Sequence, residues 1–151
     1  MTLTVDATLG LAMRFDVVVD GYSLGSWSTC RGLTVTFDTI KINELGQHAW
    51  TTNVPNRAKY TAVTLTRAMT AGDWDTTKRW LERVISDGWV TGLATESTAT
   101  ITLRDAKRTE VAVWTLRNAL PSAWKGPQLD ATGKAVALET LELIHEGFLD
   151  D

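Results

Sequence analysis

Catalysis in this chain would have to come from few groups. A thiol nucleophile needs a base or a cation within reach. The sequence offers one cysteine, Cys30, and two histidines, His48 and His145, neither near it along the chain. Cys30 therefore reads as a small apolar side chain, and a single cysteine forms no internal disulfide. A structural zinc would need paired cysteines or closely spaced histidines, and neither pattern is present. His145-Glu146 is an isolated pair that reads as a polar strand end. The carboxylates are scattered. Asp73 and Asp75 flank Trp74 at a helix start, where acids meet the positive end of the helix dipole. Asp105 falls in a turn, where Asp bonds locally, and Asp150-Asp151 is an acidic tail. The sequence has no Gly-rich phosphate loop and no Gly-x-Ser-x-Gly elbow. It names no catalytic residue, no metal ligand and no cofactor.

The elements that carry these residues fit one domain over 1–151, since 151 residues leave little room for two. Hydrophobic residues make up 44% and charged residues 22%, the balance of a globular domain. A net charge of −3 without clustered Lys and Arg argues against a general nucleic-acid binder. Residues 1–12 lack the basic start and apolar run of a secretory leader. No apolar stretch has spanning length, so we expect folding in the cytoplasm and no stable membrane insertion by this chain alone. The seven tryptophans, at 27, 50, 74, 80, 89, 114 and 124, suit a core or a subunit interface. A carbohydrate platform is the rival use, but their spacing shows no repeat.

Residues 13–28 propose a hairpin, with Phe15–Val19 running into Asp20-Gly21 and returning through Tyr22–Trp27. Residues 33–42 and 59–67 alternate with period two, as half-buried strands do. Between them, 43–57 carries no period and contains Asn53-Val54-Pro55-Asn56, so it reads as a long loop. Asp73 is the proposed N-cap of a helix over about 74–87, with Trp74, Leu81, Val84 and Ile85 at helical spacing and Gly88 closing it. Strands follow over 99–104 and 110–116, then an irregular segment over 120–133 and a closing segment over 135–145 whose pattern fits a strand with a bulge, a short helix being the alternative. Roughly seven strands with one helix predict a mainly β fold, an antiparallel sandwich or barrel with a flanking helix.

Several of these stretches resemble the phage tail tube protein family. They are Phe15–Gly25 with Cys30–Leu33, Arg57–Tyr60 with Val63–Arg67, Trp114–Ala119 with Pro121, Trp124, Gly126-Pro127 and Leu129, and Val136–Gly147. The resemblance spans about residues 13–147 and is nearest to inner tubes of contractile tails and phage-derived contractile injection systems. Members commonly carry a Gly-Gly pair in the loop after the second hairpin, where this chain has only Gly46, and a Leu-Pro-Gly-like turn, where it reads Val54-Pro55-Asn56.

The resemblance implies a two-sheet antiparallel β-sandwich with a flanking helix. It implies a homo-hexameric ring whose sheets join into one barrel, and rings stacked into a tube. The implied partners are a sheath, a baseplate, and protein cargo or DNA in the lumen. A baseplate or tube-cap relative would share the fold, and a monomeric sugar-binding module is the reading of a different class. Residues 1–12 are assigned to an N-terminal arm. Residues 43–57 are assigned to an inter-ring loop, with Glu44, Leu45, Gln47, His48, Trp50 and Asn53 as its contact residues. Thr34, Thr36, Asp38, Thr64 and Thr66 are the candidates for a polar lumen lining.

Overall fold

The structure, a computed structural model, describes residues 13–43, 45, 46, 49–89, 97–128 and 136–150, with backbone only for 88 and 89. The proposed arm at 1–12 lies outside them. Ten strands and one α-helix are defined: β1 (Arg14–Val19), β2 (Tyr22–Trp27), β3 (Thr29–Arg31), β4 (Val35–Ile42), β5 (Thr52–Tyr60), β6 (Val63–Ala68), α1 (Ala71–Val84), β7 (Ala99–Arg104), β8 (Glu110–Leu116), β9 (Leu120–Lys125) and β10 (Leu138–Ile144). All pairing among these strands is antiparallel. One sheet runs β2-β1-β7-β8, a second runs β3-β6-β10-β9, and β4 and β5 form a two-stranded ribbon. Among the described residues no sheet closes into a barrel.

The core follows from alternation. Val17 and Val19 of β1, Ile101 of β7 and Leu116 of β8 meet Val63 and Leu65 of β6 and Leu141 and Leu143 of β10, all fully buried. Period two places every second residue on one face, so each sheet gives the core one face and solvent the other. Asp20 and Gly21 both take positive φ between β1 and β2, as the two-residue turn matching strand twist requires. Asp105 closes the β7–β8 turn, its Oδ1 accepting from the Lys107 and Thr109 amides at 2.9 Å.

Four expectations are corrected. Residues 52–57 are not loop: β5 begins at Thr52 and pairs with β4. Pro55 misled the reading because it removes a donor. In an outer strand that donor can face solvent, and the extra residue between Pro55 and Ala58 absorbs the mismatch. The strand expected at 59–67 is two strands, broken at 61–62. The segment expected to be irregular at 120–133 begins with β9, where Pro121 is again tolerated on an edge strand. The helix starts earlier. Thr70, not Asp73, is its N-cap, with Thr70 Oγ1 accepting from the Asp73 amide. It also stops short of Gly88, ending at Val84 and passing into a π-helical turn over Ile85–Trp89. Its buried residues are Thr77 and Trp80, whereas Ile85 is exposed.

The break at 61–62 has a steric cause. β3 runs into β4 and β5 into β6, so the ribbon continues the β3–β6 pair past a bend. At that bend Gly32 has φ +93, and a Cβ there would lie 2.0 Å from the Ala62 carbonyl oxygen. Only glycine fits this approach.

Candidate assembly surfaces

The ribbon is the unusual surface. β4 and β5 pack on each other and meet the rest of the described chain only sparsely. Phe37 is 68% exposed and Trp50 is 63% exposed; Ile40, Ile42 and Leu45 are exposed as well. Ile40 stands opposite Val54 and Phe37 opposite Ala58, so apolar groups occupy both faces. Lys59 and Asp38 form an ion pair at 2.8 Å along it. A two-stranded ribbon on its own is marginally stable in water, and one with two apolar faces needs a cover.

Its root is fixed. Thr61 Oγ1 donates to the Gly32 carbonyl at 2.9 Å. Tyr60 packs edge-on against Phe148 and His145, at 5.1 and 5.6 Å between ring centres. His145 Nε2 donates to the Thr61 carbonyl at 3.0 Å. Burial pushes the imidazole below the usual histidine range, because desolvation penalises the charged ring.

Of the proposed inter-ring residues, Leu45, Trp50 and Asn53 lie at or near the ribbon tip and are exposed, Asn53 opposite Lys41 on β5. Glu44, Gln47 and His48 lie outside the described residues. The lumen candidates are divided. Thr36 and Asp38 belong to the ribbon, and Thr34 precedes it. Thr64 and Thr66 lie on β6, on the face away from the core, where Thr66 stands opposite Thr29 and Thr140, and Thr64 opposite Arg31 and Glu142. The chain therefore does not bring these five residues onto one sheet. Sequence reasoning missed Phe37, Ile40 and Ile42 as surface groups. The available signal was an apolar residue on both parities of 35–42, which a half-buried strand does not show.

A buried polar network locks the helix to the sheets. Arg67 of β6 is 3% exposed and Glu139 of β10 is 0% exposed. Arg67 Nε donates to Glu139 Oε1, its Nη1 to the Leu24 carbonyl, and its Nη2 to Thr77 Oγ1 of α1 at 3.1 Å. Trp124 Nε1 donates to the other Glu139 oxygen at 3.1 Å, and Trp74 stacks on Trp124 at 4.5 Å. Gly25 makes room, since a Cβ there would meet Asp73 Oδ1 at 2.9 Å and Arg67 Nη1 at 3.0 Å.

The remaining candidates for chemistry fall to structural roles. Cys30 is half-buried, and burial pushes its thiol up to about 12, which leaves almost no thiolate at neutral pH. Among the described residues no three of His, Cys, Asp and Glu gather as a metal site, and no helix is long and apolar enough to cross a membrane. Trp27 and Trp80 are buried, and Trp74, Trp114 and Trp124 are partly buried. Trp50 is the one broadly exposed indole among the described residues.

Comparison with known proteins gives one family. The model of the family described as T4-like virus tail tube protein gp19 matches residues 11–149. A chain in the sheath-tube complex of the PVC extracellular contractile injection system superposes with a TM-score of 0.69 at 23% identity, covering 89% of this chain and 85% of that one. A chain in the anti-feeding prophage baseplate gives 0.66 at 20% identity, over 90% and 89%. One in the tube-terminating cap of the anti-feeding prophage gives 0.68 at 21%, over 88% and 84%. At these identities the likeness shows a shared fold. A search of curated proteins finds no match.

Proposed function

The chain belongs to the T4-like virus tail tube protein gp19 family, and from that membership we propose that its copies close into hexameric rings that stack as the inner tube of a contractile tail or phage-derived contractile injection system. One observation carries the assembly reading: the β4–β5 ribbon holds Phe37, Ile40, Ile42 and Trp50 in solvent with little of its own chain to cover them. Exposed apolar groups of this extent mark an interaction surface. Another copy is the partner that membership in a tube family supplies.

In this reading the ribbon tip reaches the next ring, with Glu44, Leu45, Gln47, His48, Trp50 and Asn53 as contact residues and residues 1–12 as an N-terminal arm. Thr64 and Thr66 of β6 face the lumen, together with Thr34 and with Thr36 and Asp38 of the ribbon, and DNA or protein cargo passes there. A sheath surrounds the tube and a baseplate starts it. The particle assembles in the cytoplasm and either stays there or is released by lysis. The subunit is structural and catalyses nothing.

A second reading is a tube cap or baseplate ring of the same fold, favoured by the likeness to chains of the anti-feeding prophage cap and baseplate. Negative-stain electron microscopy with light scattering at high protein concentration separates the readings. Open-ended hollow tubes support the tube subunit. Single rings or pairs that stop growing support the cap or baseplate relative, since their contacts do not propagate. A particle that stays monomeric, alone and with its baseplate partners, refutes both.

A further inference from the structure

Two arginines at one end of the β2-β1-β7-β8 sheet break local rules of stability. Arg14 of β1 stands directly opposite Arg104 of β7, and like charges opposed across a strand pair destabilise it. Arg108, in the turn between β7 and β8, has φ +62, in the left-handed region that suits Gly or Asn. The turn itself imposes that φ. The Arg108 amide donates to the Asp105 carbonyl and the Asp105 amide to the Thr109 carbonyl, both at 3.0 Å, as in the three-residue hairpin loop whose last position is left-handed. Stability alone favours neither choice, and departures of this kind gather at functional sites.

Arg14 and Arg108 share a cleft of about 770 Å³, lined with them by Asp16, Ser26, Arg104, Asp105 and Ala106. Its two carboxylates are already engaged. Asp16 Oδ2 accepts from Arg104 Nε at 2.7 Å and its Oδ1 from Ser26 Oγ at 2.5 Å. Asp105 Oδ1 accepts the two turn amides. Arg104 Nη1 donates to the Arg108 carbonyl at 3.2 Å, which leaves Nη2 for a ligand. Among the described residues neither Arg14 nor Arg108 has a carboxylate within ion-pair distance. Glu110 stands opposite Arg104 but does not line the cleft. Ala106 is the one apolar residue of the lining, and no aromatic ring is there to stack on a base. The cleft is built for charge.

We propose that this cleft binds a phosphate-class dianion between Arg14, Arg104 and Arg108. A carboxylate carries one charge, and a single guanidinium satisfies it, as Arg104 does Asp16. A tetrahedral dianion accepts from several guanidiniums at once, and the planar fork of Arg suits phosphate oxygens. Bound there, the dianion turns the Arg14–Arg104 repulsion into a bridge and ties the β7–β8 turn to β1. The site lies within one chain and does not depend on assembly.

Thermal unfolding of the subunit is followed while millimolar inorganic phosphate, or glycerol 3-phosphate, replaces chloride at constant ionic strength. The melting temperature is expected to rise and saturate, as mass action on a native-state site requires, and titration calorimetry to give one site per chain. Tighter binding of the ester assigns the ligand to phosphate esters, and tighter binding of the free ion to phosphate itself. Arg14→Gln and Arg108→Gln are each expected to weaken binding about tenfold or more, the loss of a charge-assisted hydrogen bond, whereas Arg57→Gln on β5 leaves it unchanged. Arg108→Gly separates the site from the fold. Glycine relieves the left-handed backbone, so this variant is expected to melt higher than the native chain in chloride and to lose the phosphate response. A response that survives in Arg14→Gln and Arg108→Gly, or that grows without saturating as the general effect of excluded salts does, overturns the proposal. No response from the unmodified chain overturns it as well, and leaves the tube reading intact.

Discussion

The guanidinium carbon of Arg67 lies 3.8 Å from the centre of the Trp27 ring, while its Nε donates to the fully buried Glu139. One cation thus joins β6 to β10 by charge, to β2 by ring stacking and a carbonyl, and to α1 through Thr77. Burying such a pair is costly, but removing one partner is worse, because it strands the other charge in the core.

Arg67→Met is therefore expected to lower the unfolding free energy by about 3–5 kcal/mol, measured by urea unfolding of the subunit. Among the described residues, Glu139 would keep only the Trp124 indole as a side-chain donor. Adding Glu139→Leu removes the stranded charge and is expected to recover most of the loss. A double variant as weak as the single one would show that the network works by packing and not by charge.

The bend at Gly32 makes a second prediction. Gly32→Ala puts a Cβ 2.0 Å from the Ala62 carbonyl in a left-handed backbone. The backbone conformation alone costs about 1–3 kcal/mol for an L residue, and the clash adds to it. The expected outcome is a lower melting temperature together with lost assembly, since the ribbon would leave the body at another angle. Ala substitution at Gly21, in the β1–β2 turn, is the control, since its φ of +83 is equally left-handed while a Cβ there meets nothing within 4 Å.

Much of this fold was legible because alternation is a strong signal where a strand buries one face. Phe15–Val19, 99–104 and 110–116 were readable for that reason. Where burial does not alternate, the signal fails. Residues 52–57 of β5 are exposed except Val54, and Pro55 and Asn56 carry the chemistry of a turn. β5 and β6 hid their break because the chain bends at Ala62 without interrupting the alternation, and β3, with three residues, is too short to show one. The candidate surface was half legible: Trp50 and Leu45 stood out in a polar stretch, whereas Phe37, Ile40 and Ile42 sit in a segment that reads as a half-buried strand. The Arg67–Glu139 pair was not legible, since 72 residues of chain separate its partners.

The root of the ribbon is expected to be pH-sensitive through His145. Desolvation holds its pKa below the ordinary histidine value, against a partial opposing effect of its backbone hydrogen bonds. The unfolded chain then binds the proton more readily than the native one. Stability from the neutral ring is present above the unfolded pKa of about 6.5 and is lost as pH falls through the depressed native value. Thermal unfolding from pH 7.5 down to 5 should show this loss in the native chain, and His145→Phe, which keeps an aromatic ring against Tyr60 and Phe148, should flatten it. An identical slope in that variant would assign the pH dependence to the carboxylates.

The ribbon tip separates assembly from folding. Trp50 is broadly exposed in the subunit and Leu45 is fully so. Removing either side chain takes little from the core, and surface substitutions of this kind usually change stability by less than about 0.5 kcal/mol. At an interface the same indole acts differently, because a buried aromatic anchor contributes about 2 kcal/mol or more, a factor of roughly thirty in affinity. Trp50→Ala should therefore raise the concentration at which tubes form by at least that order while leaving urea unfolding of the subunit unchanged. Light scattering against protein concentration measures the first quantity and denaturant unfolding the second. A shift in both together would place Trp50 in the subunit's own stability, and a shift in neither would move the ring-to-ring contact away from the ribbon tip.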